Sequence, residues 1–474
     1  MVIMKDLKKI DKYLYEIPKT FRSDMKVPAR FYTDEVLLEA ALEDKSLEQL
    51  VNITTLKGIV GYGFGMPDIH QGYGFPIGGV AATKLPHGVI SPGGVGYDIN
   101  CGVRSLLTGM SFNDIKPYLG KIMDGLFKEV PSGVGSVGKL KLNKKELDEI
   151  LNKGSKWVIE KGYGQNEDLE ATESYGSLTE ADYTAVSKKA KKRGYNQVGT
   201  LGAGNHFLEV QVVNKIFDKT IAEEFGIKKD NVLVMIHCGS RGLGHQVASD
   251  YIELMRPAMD KYKIKVPDPE LACVPFDSPE GQQYFKAMSA AANFAWANRQ
   301  VIAYLVRKVW KDVLGKEDIK QLYDVAHNIA KVEIHGKNKL CVQRKGATRA
   351  FGPEHLDLPL RYQKTGQPVV IPGSMGTSSY ILVGTYDSEQ AFGSTCHGAG
   401  RVLSRTKAKK TIWGEDVRKR LEYQGIKIRS KSNVGLSEEA PEAYKDIDRV
   451  IKIVHTRGIA RKVAQLKPLG VIKG

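Results

Sequence analysis

Residues 391–401, AFGSTCHGAGR, place His397 in a run of small residues that ends at Arg401. An imidazole in such a setting can ligate a metal, bind an anion, transfer a proton or attack a substrate as a nucleophile. Small neighbours, among them Ala399 and Gly400, let a bulky ligand approach the backbone closely. The residues alone leave these roles open, and they favour metal or anion binding over covalent chemistry.

Five further side chains of metal-binding type stand at the ends of apolar runs or in glycine-rich segments. They are Asp98, Cys101, His206, His237 and His327. Taken singly, each is also typical of a buried structural residue. Together they make a mixed soft and hard donor set, which suits Mn, Co or Zn better than calcium or magnesium alone. Five ligands exceed the four of a closed zinc site, which indicates two ions that share a ligand.

Several common catalytic motifs are absent from the sequence. It contains no G-x-x-x-x-G-K-[ST] phosphate loop, no H-E-x-x-H helix, no G-x-S-x-G elbow and no Lys-x-Asp-Gly box. If the protein uses a nucleotide, it must therefore bind and activate it by another route.

Charge and composition narrow the class of partner and the compartment. The formal net charge is +16, from 70 basic and 54 acidic residues, which favours phosphate-bearing partners such as nucleic acid. The five cysteines show no C-x-x-C spacing, which argues against a disulfide framework or a zinc ribbon. With no apolar signal core and no run of about 18 apolar residues, we expect a cytoplasmic protein without a membrane segment.

The elements that must position these side chains alternate irregularly along the chain. Residues 58–102 contain 13 glycines among short β-type runs, which predicts strands joined by tight turns. Apolar spacing predicts helices over 143–161 and about 280–313, and strands over 231–236, 368–372 and 379–384. The fold class expected is α/β (α+β), a single large unit with a mixed β-sheet core flanked by helices.

Six segments occur in an order that resembles the RtcB family of RNA ligases. They are GGVGYDINCGVR, GTLGAGNHFLEV, IHCGSRGLGH, AHNIAK, PGSMGTSSYILVGT and FGSTCHGAGR. The resemblance implies one RtcB-type ligase domain over residues 1–474. Within it, a glycine-rich metal-site segment would span about 58–105, and a nucleotide-binding segment about 370–474.

The chemistry that this resemblance implies uses GTP and two Mn²⁺ ions. It joins RNA 3′-phosphate or 2′,3′-cyclic phosphate ends to 5′-hydroxyl ends in tRNA splicing and RNA repair, by way of RNA(3′)pp(5′)G. His397 would be the histidine that becomes guanylylated. Cys101 would bridge the two ions, with Asp98 and His206 on one and His237 and His327 on the other. Archease, a small activating protein, is the further partner implied beside RNA.

The resemblance also implies nucleotide contacts, at Asn205, Glu209, Ser374, Ser379, Ala399, Gly400, Tyr444 and Lys473. Glu209 would read the N1 and N2 edge of guanine, and Lys473 would reach O6. Guanidinium and ammonium groups that could hold RNA phosphates are those of Arg241, Lys345, Arg349, Arg401 and Arg405. The basic runs at 187–194 and 405–410 fit the same role but are also typical of a solvated surface. His70, in MPDIHQGYG, receives no role.

Two alternatives remain at this point. One is a dinuclear metal-dependent phosphodiesterase in which His397 is only a ligand or an anion clamp. The other is a non-enzymatic RNA-binding protein that uses metal for structure. The hydrolase would need no GTP, and the binding protein would unfold when its metal was removed.

Overall fold

Two large β-sheets form the framework of the computed structural model, which describes residues 2–474. The strands are β1 (Lys8–Asp11), β2 (Leu14–Ile17), β3 (Ala29–Tyr32), β4 (Gly63–Tyr73), β5 (Phe75–Lys84), β6 (Val89–Ile90), β7 (Gly102–Ser111), β8 (Phe207–Ile216), β9 (Asn231–Cys238), β10 (Val274–Pro275), β11 (Lys320–Ala326), β12 (Asn328–His335), β13 (Asn338–Lys345), β14 (Ala347–Arg349), β15 (Pro368–Ile371), β16 (Ser379–Gly384), β17 (Ser394–Cys396), β18 (Lys427–Ser430) and β19 (Ala460–Lys473).

Helices cover these sheets. They are α1 (Glu35–Glu43), α2 (Ser46–Ile53), α3 (Phe112–Ile115), α4 (Leu119–Glu129), α5 (Lys144–Lys153), α6 (Ser155–Glu160), α7 (Asn166–Glu170), α8 (Lys188–Gly194), α9 (Lys219–Glu224), α10 (Arg241–Lys261), α11 (Pro279–Leu314), α12 (Arg405–Thr411), α13 (Gly414–Tyr423), α14 (Asn433–Glu438) and α15 (Ile447–Thr456). Within residues 2–474, no helix combines the length and apolar character needed to cross a bilayer.

Both sheets mix parallel and antiparallel pairs, which confirms the expected mixed core flanked by helices. One sheet has the order β1-β2-β3-β4-β5-β13-β12, with β3 and β4 parallel. The other has the order β11-β7-β9-β8-β19-β16-β15, with β18 parallel beside β19. A short ribbon of β14 and β17 lies outside both sheets and ends next to His397.

Strand β9 shows how the predicted apolar runs become core. Its alternate side chains face opposite sides of the sheet, so that Val234 and Ile236 belong to one apolar cluster and Leu233 and Met235 to another. His237 continues the Leu233 and Met235 face at the end of the strand. The strands predicted at 231–236, 368–372 and 379–384 are confirmed as β9, β15 and β16.

The long helix α11 passes through the centre of the molecule. Ser278 caps its start by accepting a hydrogen bond from the N–H of Gly281, and its side chains are buried on nearly every face. The helix predicted at 143–161 is instead two helices, α5 and α6, because the helical conformation is interrupted at Gly154. Gly154 has φ 59°, and a side chain there would come within 2.2 Å of the Gly176 carbonyl oxygen.

The glycine-rich segment is confirmed as strands in its first part only. Strands β4, β5 and β6 occupy it up to residue 90, and residues 91–101 form a loop with one short 3₁₀ turn. The Asn100 N–H donates to the Asn328 carbonyl, and the His327 N–H donates to the Cys101 carbonyl. The loop is thereby fixed against the turn between β11 and β12.

Candidate active site

The five predicted metal ligands come from neighbouring strand ends of the second sheet. Asp98 and Cys101 lie in the loop before β7, His206 precedes β8, His237 is the next-to-last residue of β9, and His327 follows β11. These four strands are adjacent in the order β11-β7-β9-β8, and His237 pairs in register with both Val103 and Phe207. The sheet therefore gathers side chains that lie far apart in sequence at one edge.

Their donor atoms form two groups that share the Cys101 thiol. In one group, His206 Nε2 lies 2.7 Å from Asp98 Oδ2 and 3.4 Å from Cys101 Sγ. In the other, His237 Nε2 lies 3.3 Å from Cys101 Sγ and 3.3 Å from His327 Nε2. Within each group all donor atoms lie within 4.8 Å of one another, so each group is suited to hold a metal ion.

Burial sets the charge state of these donors. It lowers the pKa of His237 and His327 well below the ordinary range, so that both imidazoles stay neutral and can act as ligands. Burial, with the Asp98 carboxylate beside it, raises the pKa of the Cys101 thiol to about 12. A thiolate at this position needs cations next to it, which a pair of metal ions would provide.

Two adjacent residues of α11 hold the loops that carry the ligands. Arg299 donates to the carbonyls of Asn100 and Cys238 at 2.7 and 2.8 Å, and it forms an ion pair with Asp324 at 2.7 Å. Asn298 accepts the N–H of Thr200 at 3.0 Å. No sequence pattern marks these buried polar residues, since nothing in a single helical segment reveals partners on three other elements.

His397 lies beside this cluster, at the end of β17. Its ring centroid is 5.0 Å from that of His327. Its Nδ1 lies 2.6 Å from Oδ2 of Asp68, which also accepts the backbone N–H groups of His397 and Gly398 at 2.9 and 3.2 Å. Asp68 is fully buried, and although burial opposes ionisation, the interactions with His397 lower its pKa below the ordinary range.

Asp68 is the main site residue that no sequence pattern indicated. It lies two residues before His70, in the segment MPDIHQGYG, where only the histidine attracted notice. The His70 ring is 6.4 Å from that of His397, and burial lowers its pKa to about 3, so it is neutral.

A cavity of about 770 Å³ joins the metal-ligand cluster to His397. Its walls include most of the predicted nucleotide and RNA contacts, namely Asn205, Ser374, Ala399, Gly400, Tyr444, Lys473, Arg241, Lys345, Arg401 and Arg405. One open chamber therefore holds a metal-type donor set, an exposed edge of an imidazole and several cationic groups.

Comparison with known proteins shows the family to which the chain belongs. A family model described as tRNA-splicing ligase RtcB matches residues 49–474. The chain belongs to the RtcB family. It is 54% identical to the tRNA-splicing ligase RtcB of Archaeoglobus fulgidus over 477 residues, covering 99% of each chain. It is 53% identical to that of Thermococcus kodakarensis, again over 99% of each. It is 50% identical to the RNA-splicing ligase RtcB of Mycobacterium bovis, over 90% of this chain and all of the relative.

Two nucleotide contacts expected from the RtcB resemblance lie behind the cavity wall rather than on it. Glu209 is 2% exposed, and its Oε2 accepts a hydrogen bond from Gln211 Nε2 at 2.6 Å. The same amide donates to Ser379 Oγ at 3.0 Å. Burial raises the pKa of Glu209 to about 7. Lys473, on the adjacent strand, does reach the cavity and donates to the Gly204 carbonyl at 2.7 Å.

The cationic residues differ in how free they are to bind RNA. Arg401 donates to the Tyr444 hydroxyl at 3.0 Å and lies 3.2 Å from Glu439, so much of its capacity is already used. Lys345 donates to two backbone carbonyls, and burial lowers its pKa to about 7.

Arg349 departs from the expectation that it contacts RNA, because it does not reach this cavity. It is 2% exposed and lines a separate cavity of about 330 Å³. Its Nε donates to Gln367 at 3.1 Å and lies 3.7 Å from Glu173. The guanidinium thus serves an internal ion pair.

Proposed function

We propose that the protein is a GTP- and Mn²⁺-dependent RNA ligase that joins 3′-phosphate or 2′,3′-cyclic phosphate ends to 5′-hydroxyl ends, with His397 as a covalent nucleophile. The observation that carries the proposal is the position of His397. Its ring borders the second donor group, and its Nδ1 is occupied by a buried carboxylate. The names of the relatives, tRNA-splicing and RNA-splicing ligases, support the substrate class.

The contact with Asp68 prepares the imidazole for attack. When Nδ1 carries the proton and donates to Asp68, Nε2 retains its lone pair. This nitrogen would form a bond to the α-phosphorus of GTP as the bond from that phosphorus to the pyrophosphate oxygen breaks. The resulting phosphoramidate splits a difficult ligation into easier transfers.

The two donor groups would hold two Mn²⁺ ions, with Cys101 contributing to both. Bound Mn²⁺ supplies positive charge that stabilises phosphate oxygens and leaving groups. Around it, the chain's own cationic groups at the cavity wall, including Arg241 and Lys473, would orient the triphosphate and the RNA ends.

The remaining steps would take place in the same cavity. A 2′,3′-cyclic phosphate is first hydrolysed to a 3′-phosphate. GMP then passes from His397 to that phosphate to give RNA(3′)pp(5′)G, and the 5′-hydroxyl attacks the activated end and releases GMP. Asn205, Ser374, Ala399, Gly400 and Tyr444 would contact the nucleotide. Glu209 would accept hydrogen bonds from the guanine edge once the side chains in front of it move, and Ser379 would support the site from behind. We propose action in tRNA splicing and RNA repair in the cytoplasm, with archease as an activator.

The test is incubation with GTP labelled at the α-phosphate and Mn²⁺, followed by denaturing electrophoresis. We expect an acid-labile, alkali-stable label on the wild type and none on His397→Ala. His245→Ala is the matched control, because His245 also lines the cavity but belongs to neither donor group. Absence of label with every divalent metal, together with GTP-independent hydrolysis of a cyclic phosphate, would favour the phosphodiesterase instead.

A further inference from the structure

A strongly basic segment, residues 401–434, projects beside the cavity. It comprises α12, α13, β18 and the start of α14, and it packs through its own small apolar cluster, which includes Val417, Leu421 and Ile428. That cluster also contains Met375 and Val471, so the segment is attached next to the cavity loop and the C-terminal strand.

Half of the net charge of the protein is concentrated in this segment. It contains eleven Lys and Arg against three Asp and Glu, a net charge of +8 out of the +16 of the whole chain. Two of the acidic residues already pair within α13, Glu415 with Lys419 and Glu422 with Arg418. In the described part of the chain, ion pairs engage Arg405 and Lys409 but leave the exposed Lys407 and Lys410 free.

An exposed tryptophan stands among these charges. Trp413 follows the end of α12 by two residues and is 78% exposed, whereas the other three tryptophans of the chain are at most 5% exposed. An exposed indole offers a flat aromatic face on which a nucleic-acid base can stack. Aromatic side chains interleaved with basic ones are typical of surfaces that bind single-stranded nucleic acid.

The segment is continuous with the cavity. Arg401 and Arg405 line the cavity wall, and α12 begins at Arg405 and extends for about 10 Å toward Trp413. Lys407 and Lys410 are three residues apart and therefore lie on one face of this helix. A strand whose end reaches His397 would meet these groups within a few nucleotides.

We propose that residues 401–434 form the exit path for a single-stranded RNA end, with phosphates on Lys407 and Lys410 and a base stacked on Trp413. The inference rests on the proposed function, because it takes the cavity to receive an RNA end. Beyond Arg405, which still lines the cavity, it adds a surface that sets affinity for longer strands without taking part in guanylylation.

The exposure of Trp413 gives a direct readout. Acrylamide quenching of tryptophan emission should report almost entirely on Trp413, and Trp413→Phe should remove the quenchable component. We expect a 12-nucleotide RNA with a 3′-phosphate to protect the emission from quenching, and GTP alone to leave it unchanged. The proposal would be overturned if GTP alone protected the Trp413 emission from quenching, or if saturating RNA gave no protection.

Affinity variants provide the second arm. We expect Trp413→Ala to weaken binding of the 12-nucleotide RNA about tenfold, the loss typical of one stacked base. The double variant Lys407→Ala/Lys410→Ala should reduce the slope of log affinity against log salt by about 1.4. Thermal unfolding of each variant should match that of the wild type, because the side chains removed are exposed.

The matched control is Lys215→Ala/Phe217→Ala/Lys219→Ala, which removes one exposed aromatic and two exposed lysines. These residues lie at the far end of β8 and just past it, about 30 Å along the strand from His206. The inference would be overturned if Trp413→Ala and Lys407→Ala/Lys410→Ala bound RNA with the affinity and salt slope of the wild type. It would also be overturned if an acidic protein, but not RNA, protected the Trp413 emission from quenching. Labelling of His397 with GTP is measured separately, so a failed ligase assignment remains distinguishable.

Discussion

Asp68 and His397 are 329 residues apart in sequence, yet Oδ2 of Asp68 lies 2.6 Å from Nδ1 of His397 in the candidate site. The same carboxylate accepts the two backbone N–H groups at His397 and Gly398. It therefore fixes both the path of the loop and the side of the ring that faces the cavity. Removing its charge while keeping its shape separates these two roles.

For Asp68→Asn we expect formation of the His397–GMP adduct to slow by a factor of about 10² to 10⁴, because an amide no longer favours the tautomer with a free Nε2. Single-turnover labelling with GTP measures this rate, and bound metal measured in parallel should be unchanged. Asp44→Asn is the control, because Asp44 is a half-buried carboxylate that also accepts two backbone N–H groups but lies outside the cavity. A wild-type labelling rate in Asp68→Asn would exclude the orienting role.

Cys101 is expected to contribute to both metal sites, since the two donor groups share its thiol. Cys101→Ala should therefore lower the number of bound Mn²⁺ ions from two to none at limiting metal, whereas His327→Ala should leave one. Equilibrium dialysis with elemental analysis gives the stoichiometry without requiring activity.

Guanylylation should be lost in Cys101→Ala. Chelation should abolish the activity of the wild type, while its circular dichroism spectrum should remain that of a folded protein. Two ions retained by Cys101→Ala would contradict a shared ligand. Global unfolding on chelation would favour a structural metal.

Glu209 should couple GTP binding to proton release. Burial raises its pKa to about 7, so the carboxyl is partly protonated at neutral pH. The adjacent N1–H and N2–H donors of guanine need both carboxyl oxygens as acceptors, which only the ionised form provides, so binding should lower this pKa and expel a proton. GTP affinity should then weaken as the pH falls below about 7.

Calorimetry in two buffers of different ionisation enthalpy measures the released proton, and ATP is the control ligand. Glu209→Gln should lose both the release and the preference for GTP over ATP, because its amide places a donor against the guanine donors. Equal proton release in wild type and Glu209→Gln would show that guanine is read elsewhere.

What the sequence could predict depended on whether the signal was local. The metal-type ligands stand at strand ends next to glycines, so both the strands and the side chains could be recognised within short segments. Asp68 and Arg299 act through partners on distant segments, and no local pattern marks them. Arg349 was expected to bind phosphate because of its residue type, but its guanidinium group lies next to the buried Glu173 carboxylate instead. The helix over 143–161 had the right apolar period, yet the packing of Gly154 against Gly176 breaks it.

Arg299 offers the last prediction, because it links the loops of Cys101 and His237 to the core. Its guanidinium donates to Asn100, Cys238 and Asp324 at once, and all of these groups are buried. A lysine keeps the charge but not the planar set of donors, so Arg299→Lys leaves buried acceptors unpaired. We expect the free energy of unfolding to fall by about 1–3 kcal/mol for each acceptor left unpaired, and Mn²⁺ affinity to fall about 10–100-fold. Chemical denaturation and metal titration measure the two effects.

Arg256→Lys, which alters an exposed pair with Glu270, should change neither, since such pairs contribute about 0–1 kcal/mol. Wild-type metal affinity in a destabilised Arg299→Lys would show that this residue supports the core without positioning the site.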